Sequence, residues 1–567
     1  MPLPSQAILV GNLESAVCRV LPEITESLSQ SPRSTGANPL AGDDPSSPDF
    51  TGLLDSRLLQ VESFLAELTS SSVQEVVTIG CDALSWPRAV ADGTAFPPAV
   101  RCLSLASTDP ADISTRVRAA AFPESVFLLP DIPGKFLESQ NVFQYLYDSL
   151  IKLGIAAPGR RFVSFCRENS YRDTQAAEYR FRMNFRWARK ALSPLSPFSS
   201  FGLLQAALAG INPREYVADT LAMRAACGRA SGIARNPAQE LAAVLLAARR
   251  EGRCGILFLA SPSLLHFARH ICHRFAAEPS ASILDFAVAC GELRGGQAPR
   301  NNNDWLTVFL RSETDSFPSP AELAAAKPPA EPLVDCVLSS PAQAGAEYCK
   351  WSHAISLACA AQPLASTTAH AQFRHDPQAR AGELLDAWRR GNDSGYSVPR
   401  LFEAGVELHV AGAFRHQISN RNLPAALQSF FQSCREGLHL ELLAFLPRIE
   451  PCGESVRGLR ENLESSLGLP VQLFHGSFCQ PEFRRFAPGA NFPGRFLVLT
   501  AAAAEDLPIP SAGYTFGQLQ MARALAETES LAQRDLPVVR LHFPQGAEAG
   551  LLALSAALAQ ALPHAAG

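Results

Sequence analysis

An α/β fold, with two α/β/α sandwich domains each built on a parallel sheet, is what this chain of 567 residues predicts. Three observations carry the α/β/α part of that expectation. Short β-rich runs alternate with amphipathic helical segments on both sides of residues 225–236, as in a parallel sheet covered by helices. The stretch from Arg495 to Phe543 reads strand, turn, helix, strand, a βαβ unit. The length also exceeds what a single hydrophobic core holds.

Composition narrows the class. Hydrophobic residues make up 47% and charged residues 18%, as in ordinary globular proteins. A net charge of −5 gives no basis for binding nucleic acid or an anionic membrane. Fourteen cysteines are scattered singly, without C-x-x-C pairs or metal-ligand spacing with histidine, so reduced thiols and no metal or cofactor are expected. Met1-Pro-Leu-Pro does not open like a signal peptide, and no apolar run reaches about 18 residues, so a cytoplasmic protein is expected.

In chain order, residues 1–50 read as an extension with a short strand and helix, then a Pro/Ser/Gly-rich linker over 31–50. A helix follows with Leu54, Leu58, Val61, Leu65 and Leu68 on one face. Strands are expected at 75–80, 101–105, 125–130 and 161–166, within a first domain over 51–230. The segment 160–190 holds nine Lys/Arg against three acidic residues. It reads as a helix face with Arg182, Arg186, Arg189 and Lys190, solvated or serving an anion. A second domain over 231–567 opens at Asn236-Pro237, an N-cap followed by proline at the first helical position. Strands are expected at 255–260, 283–289, 305–310, 440–446 and 495–500. A Pro/Ala-rich insertion falls near 311–332. The helix from Tyr514 places Phe516, Leu519, Ala522 and Leu525 on one stripe.

Several of these pieces have a family spelling. Asp506-Leu-Pro-Ile-Pro510, Tyr514-Thr-Phe-Gly-x-Leu519 and the closing Arg540-Leu-His542 resemble the carboxyl end of bacterial glucose-6-phosphate isomerases. The match is to the isomerase half of transaldolase–isomerase fusions, a family of two sugar-isomerase (SIS) domains. Ser107-Thr-Asp-Pro110, Phe201-Gly-Leu-Leu204, Ser261-Pro-Ser-Leu-Leu-x-Phe267 and Glu347-Tyr-x-Lys-Trp351 continue the likeness. The resemblance implies aldose–ketose isomerisation of a sugar phosphate, glucose 6-phosphate to fructose 6-phosphate, and allows a homodimer.

The family's functional motifs match less well. Gly291-Glu292 falls on its G-E-P, which gives Glu292 the role of the base that moves the C1/C2 proton; an ordinary loop glutamate is the alternative. The family's glycine- and serine-rich phosphate loop is here Gly80-Cys-Asp-Ala-Leu-Ser85-Trp, leaving Gly80 and Ser85. Its hydroxyl nest after the third strand is here Pro130-Asp-Ile-Pro-Gly134-Lys135-Phe-Leu-Glu138-Ser139, in which two prolines remove N–H donors. Gly134, Lys135, Glu138 and Ser139 are the candidates there. The family's G-G-R arginine falls near Pro194, and its D-Q-P is echoed by Gln362-Pro363, with His370 as a stand-in acid. Its late lysine falls near Pro488, with Arg484 and Arg485 close by. A non-catalytic SIS protein binding a sugar phosphate or a protein partner is the other reading.

Overall fold

The computed structural model describes residues 5–9, 13–30, 49–80, 100–119, 124–132, 134–187, 196–228, 236–265, 267–269, 271–272, 287–292, 305–313, 333–361, 376–392, 398–419, 421–435, 439–476, 478 and 494–562. The chain begins with β1 (Ser5–Leu9), α1 (Glu14–Gln30), α2 (Phe50–Ser70), β2 (Glu75–Ile79), β3 (Arg101–Leu105), α3 (Pro110–Ala119), β4 (Ser125–Pro130) and α4 (Phe136–Lys152). It continues with β5 (Phe162–Arg167), α5 (Tyr171–Glu178), β6 (Met183–Trp187), α6 (Ser200–Leu208), α7 (Pro213–Cys227), α8 (Pro237–Arg250), β7 (Gly255–Ala260), β8 (Ala287–Glu292), β9 (Trp305–Ser312) and β10 (Leu333–Leu338). The last part holds α9 (Ala344–Ala361), α10 (Pro377–Arg389), β11 (Leu401–Glu403), β12 (Val406–Val410), α11 (Leu423–Arg435), β13 (His439–Phe445), α12 (Cys452–Leu467), β14 (Val471–His475), β15 (Gly494–Ala501), α13 (Phe516–Ala532), β16 (Val538–Phe543) and α14 (Ala547–Ala561).

The α/β/α architecture with parallel sheets holds, and the described residues form three sheets. The first runs β3-β2-β4-β5-β6, all parallel. The second runs β1-β10-β9-β7-β8, parallel except for β1. The third runs β11-β12-β16-β15-β13-β14, with β13 to β16 parallel and the β11–β12 hairpin antiparallel. Residues 231–567, read as one domain, thus carry most of one sheet and all of another. In each sheet the earliest parallel strand lies between the second and the third. That reversal makes a switch-point crevice at the carboxyl ends of the strands.

The amino-terminal segment is built into this body. β1 pairs antiparallel with β10, Ile8 opposite Val334. Leu13, Ala16, Val20 and Ile24 then lay an apolar stripe into the core shared with α8 and α9.

Helix starts follow local chemistry. Asn236 Oδ1 accepts the Ala238 and Gln239 N–H groups at 3.0 and 3.2 Å. Thr515 and Gln518 form a capping box that launches α13. All four stripe residues of α13 are buried. One side of α13 packs with α4 and α10 under the first sheet, and Ala524 and Leu531 pack on the third. This helix is therefore shared between two sheets. The basic segment departs from expectation: Met183–Trp187 is an edge strand, β6, with Arg182 on Glu67 and Arg186 on Asp173, each at 2.9 Å.

Candidate functional site

The carboxyl ends of the first sheet bring several of the expected residues together. Gly80 follows β2 at φ +141°, and its N–H donates to Leu105 O at 3.1 Å. A side chain at that φ would be strained, and a Cβ there would lie 2.6 Å from Ile132 Cδ1, which would have to move, so glycine suits the crossing of the turns after β2 and β4. After β3, Ser107 Oγ accepts the Asp109 N–H at 3.0 Å, and Asp109 caps α3 by accepting the Ala111 N–H at 2.9 Å.

This loop faces the third sheet and the helices packed on it, the third unit. Asp109 Oδ2 accepts from Gln520 Nε2 at 2.9 Å. Asp112 Oδ1 accepts the backbone N–H groups of Arg448 and Ile449, from the loop after β13, at 2.7 and 3.0 Å. Both carboxyls are buried. Burial, and then the Asp112 charge, push Asp109 up to about 6. Burial also raises Asp112, against the bonds from Ser107 and the two backbone groups. The spelling Ser107-Thr-Asp-Pro110 marked this loop, but nothing in it revealed the partners across the joint.

The turn after β4 gathers four candidates at the start of α4. Gly134 has φ +72°, and Lys135 occupies the N-cap position, buried. Ser139 Oγ donates to Phe136 O at 3.1 Å and accepts from Arg172 Nη2 at 3.0 Å. Glu138 is fully buried against Arg523 of α13, Oε1 to Nε 2.7 Å, in charge contact without an aligned hydrogen bond. Arg172 joins this group. It is fully buried, holds Gln140 Oε1 at 3.0 Å and Gln175 Oε1, and lies over the Phe136 ring. Burial lowers it to about 10, with Asp131 opposing. An arginine on α5 carries no spacing signal that singles it out.

Glu292 lies on a different sheet. It is the last residue of β8, opposite Ala260 at the end of β7. The same strand meets the third unit through Val288 O, which accepts Gln472 Nε2 at 2.7 Å. The Glu292 side chain lies outside the described residues, as do Ser85, His370, Arg484 and Arg485. Among the described residues, no group of His, Cys, Asp and Glu is set to hold a metal ion, and no helix is long and apolar enough to cross a membrane. The described chemistry at the first sheet is thus a turn start with Lys135 and hydroxyls, closed from the far side by carboxyls bound to the third unit.

No family model matches the chain, and no curated protein matches it in sequence. Solved structures give fold-level likenesses. An uncharacterised protein of Thermus thermophilus superposes with a TM-score of 0.49 at 13% identity, over 63% of this chain and 94% of that one. A glucose-6-phosphate isomerase from Chlamydia trachomatis gives 0.45 at 14%, over 62% and 81%. A tagatose-6-phosphate ketose/aldose isomerase candidate from Clostridium novyi gives 0.33 at 10%, over 61% and 88%. All three are weak in identity and in superposition, and none assigns chemistry to this chain.

Proposed function

We propose that this chain is a glucose-6-phosphate isomerase-like protein that interconverts aldose and ketose sugar phosphates by proton transfer, with Glu292 as the base. The observation that supports it is positional. Glu292 ends a parallel strand beside β7, the switch-point strand of the second sheet. That is where α/β sheets place reacting groups, and a carboxylate there can carry a proton between C1 and C2. Such proton transfer needs no cofactor. The reading includes a cytoplasmic protein and accommodates a homodimer.

The test is turnover of fructose 6-phosphate by the full chain, read through a coupled dehydrogenase. Glu292→Gln keeps the shape and removes the base, so turnover should fall by about 10²–10⁴. Equal rates in wild type and variant would remove Glu292 from the reaction.

A second reading, a non-catalytic sugar-phosphate-binding protein, draws support from the burial of Glu138 against Arg523. A carboxylate sealed by an arginine in the joint is not offered to a ligand. Saturable binding of glucose 6-phosphate with no turnover by the wild type would favour that reading.

A further inference from the structure

The closing Arg540-Leu-His542 belongs to a cluster that the isomerase reading does not use. Thr500 lies near the end of β15, Arg540 and His542 on β16, and Glu407 and His409 on β12. Thr500 is paired with His542, His542 with Glu407, and Arg540 with His409. Paired residues, and residues two apart, point to one side of a sheet, so all five share a face. It is the face that carries α13, because Val498, paired with Arg540, packs with Ala524 and Leu531.

The polar atoms converge. Arg540 Nη1 donates to Thr500 Oγ1 at 3.3 Å. Thr500 Oγ1 lies 3.1 Å from His542 Nδ1, and His409 Nε2 lies 3.2 Å from Glu407 Oε2. Arg540, His409 and Thr500 are buried, while His542 and Glu407 are half-buried at the rim. The turn that leaves β15, Ala502–Asp506, is exposed. The cluster therefore sits at the carboxyl end of the strands, where such sheets take ligands, with one side open.

The electrostatics point the same way. Burial, and then the Arg540 charge, drive His409 down to about 3 and His542 to about 4. Both imidazoles are neutral near neutral pH. An oxyanion beside Arg540 would offset the second of these causes, the Arg540 charge, and favour a proton on His542, adding a charge-assisted bond. The other charged groups on the packed elements are Glu407 on β12, the exposed Glu505 and Asp506 on the turn that leaves β15, and Arg523, Glu527, Glu529, Arg534 and Asp535 on or next to α13. Of these, Arg523 faces Glu138, Glu529 holds Arg380 at 2.7 Å, and Glu527 and Arg534 are buried.

We propose that Thr500, Arg540, His542 and His409 form a binding site for a small phosphate-bearing anion, separate from Glu292, and that Glu407 at its rim weakens the binding. The site takes the anion together with a proton.

Calorimetric titration of the full chain with inorganic phosphate, in two buffers of different ionisation enthalpy, tests this. Wild type should bind saturably near neutral pH with net proton uptake. Arg540→Met should weaken binding by about tenfold or more, the loss of one charge-assisted bond. His542→Gln should remove most of the proton uptake, and Glu407→Gln should tighten binding, since it removes a like charge. Glu292→Gln should leave phosphate affinity unchanged, which separates this site from the isomerase reading. If Arg540→Met does not fold, the two rim variants decide. A folded wild type without saturable binding, or binding that His542→Gln and Glu407→Gln leave untouched, overturns the proposal.

Discussion

At the carboxyl end of the first sheet, Asp109, Asp112 and Glu138 are all buried against a neighbouring unit. At the carboxyl end of the third sheet, Arg540, two imidazoles and a hydroxyl meet a half-open rim. The two sheets share one strand order, so topology builds the same crevice in both. What differs is the element laid across it. On the first sheet α13 and the loop after β13 supply Arg523, Gln520 and two backbone N–H groups, which turn carboxylates into a joint. On the third sheet the turn after β15 stays exposed over Arg540 and two neutral imidazoles. A strand order fixes where polar groups gather; the next unit along decides whether they hold the protein together or meet a ligand.

The largest expected effect tests the sealed side of this contrast. Removing one partner of a buried ion pair leaves the other charge stranded, so Glu138→Ala should cost about 3–5 kcal/mol in urea denaturation. Replacing both partners with leucine should recover most of that loss. A cost below about 1 kcal/mol for the single change would mean that water reaches the pair and that the joint is not sealed.

Next in size is the acid response of the third sheet. His409 titrates at about 3 when folded, against an ordinary 6.5. A lowered histidine means that the unfolded chain takes the proton more readily. Stability is therefore full above 6.5 and is lost as pH falls from there toward the folded value. His409→Gln should flatten the slope of stability against pH in that window, followed by denaturation midpoints. An unchanged slope would place His409 in water and dissolve the difference between the two crevices.

The sequence made the local pieces of this picture readable and hid the pairings. β4 and β7 fall at their expected bounds because buried parallel strands are short apolar runs between turn residues, and the half-buried edge strand β3 falls at its bounds as well. The α13 stripe and the Asn236 cap are equally local signals. The destination of β1 is not local: five residues of strand do not say which sheet edge they will join. The basic run around Arg186 misled in another way. Met183-Asn-Phe-Arg-Trp187 is too short to separate a two-residue from a 3.6-residue period, and the outward arginines are matched by acids on other elements. At the site, Glu138 could be named only through the family's spelling after the third strand. Arg523, which determines what Glu138 does, lies in a helix of the third unit that no spacing rule connects to it.

The smallest effect has the opposite sign to that of the histidines. Asp109 is raised from 3.8 to about 6. The folded state then holds its proton more tightly than the unfolded chain does. Stability falls as pH rises through that window, and the full penalty of a buried charge applies above it. Asn can replace Asp109 with little local damage. Its oxygen still caps α3 at the Ala111 N–H, and the Gln520 amide can turn to offer its oxygen to the new NH2. Asp109→Asn should match wild type near the acid end of the window and exceed it above about pH 6 by up to about 3 kcal/mol, with the window's slope gone. The paired measurement with His409→Gln makes the contrast quantitative, since one substitution flattens a rise with pH and the other a fall. If Asp109→Asn instead follows the wild-type curve, the Asp109 carboxyl is solvated, and the first sheet's crevice is as open as the third's.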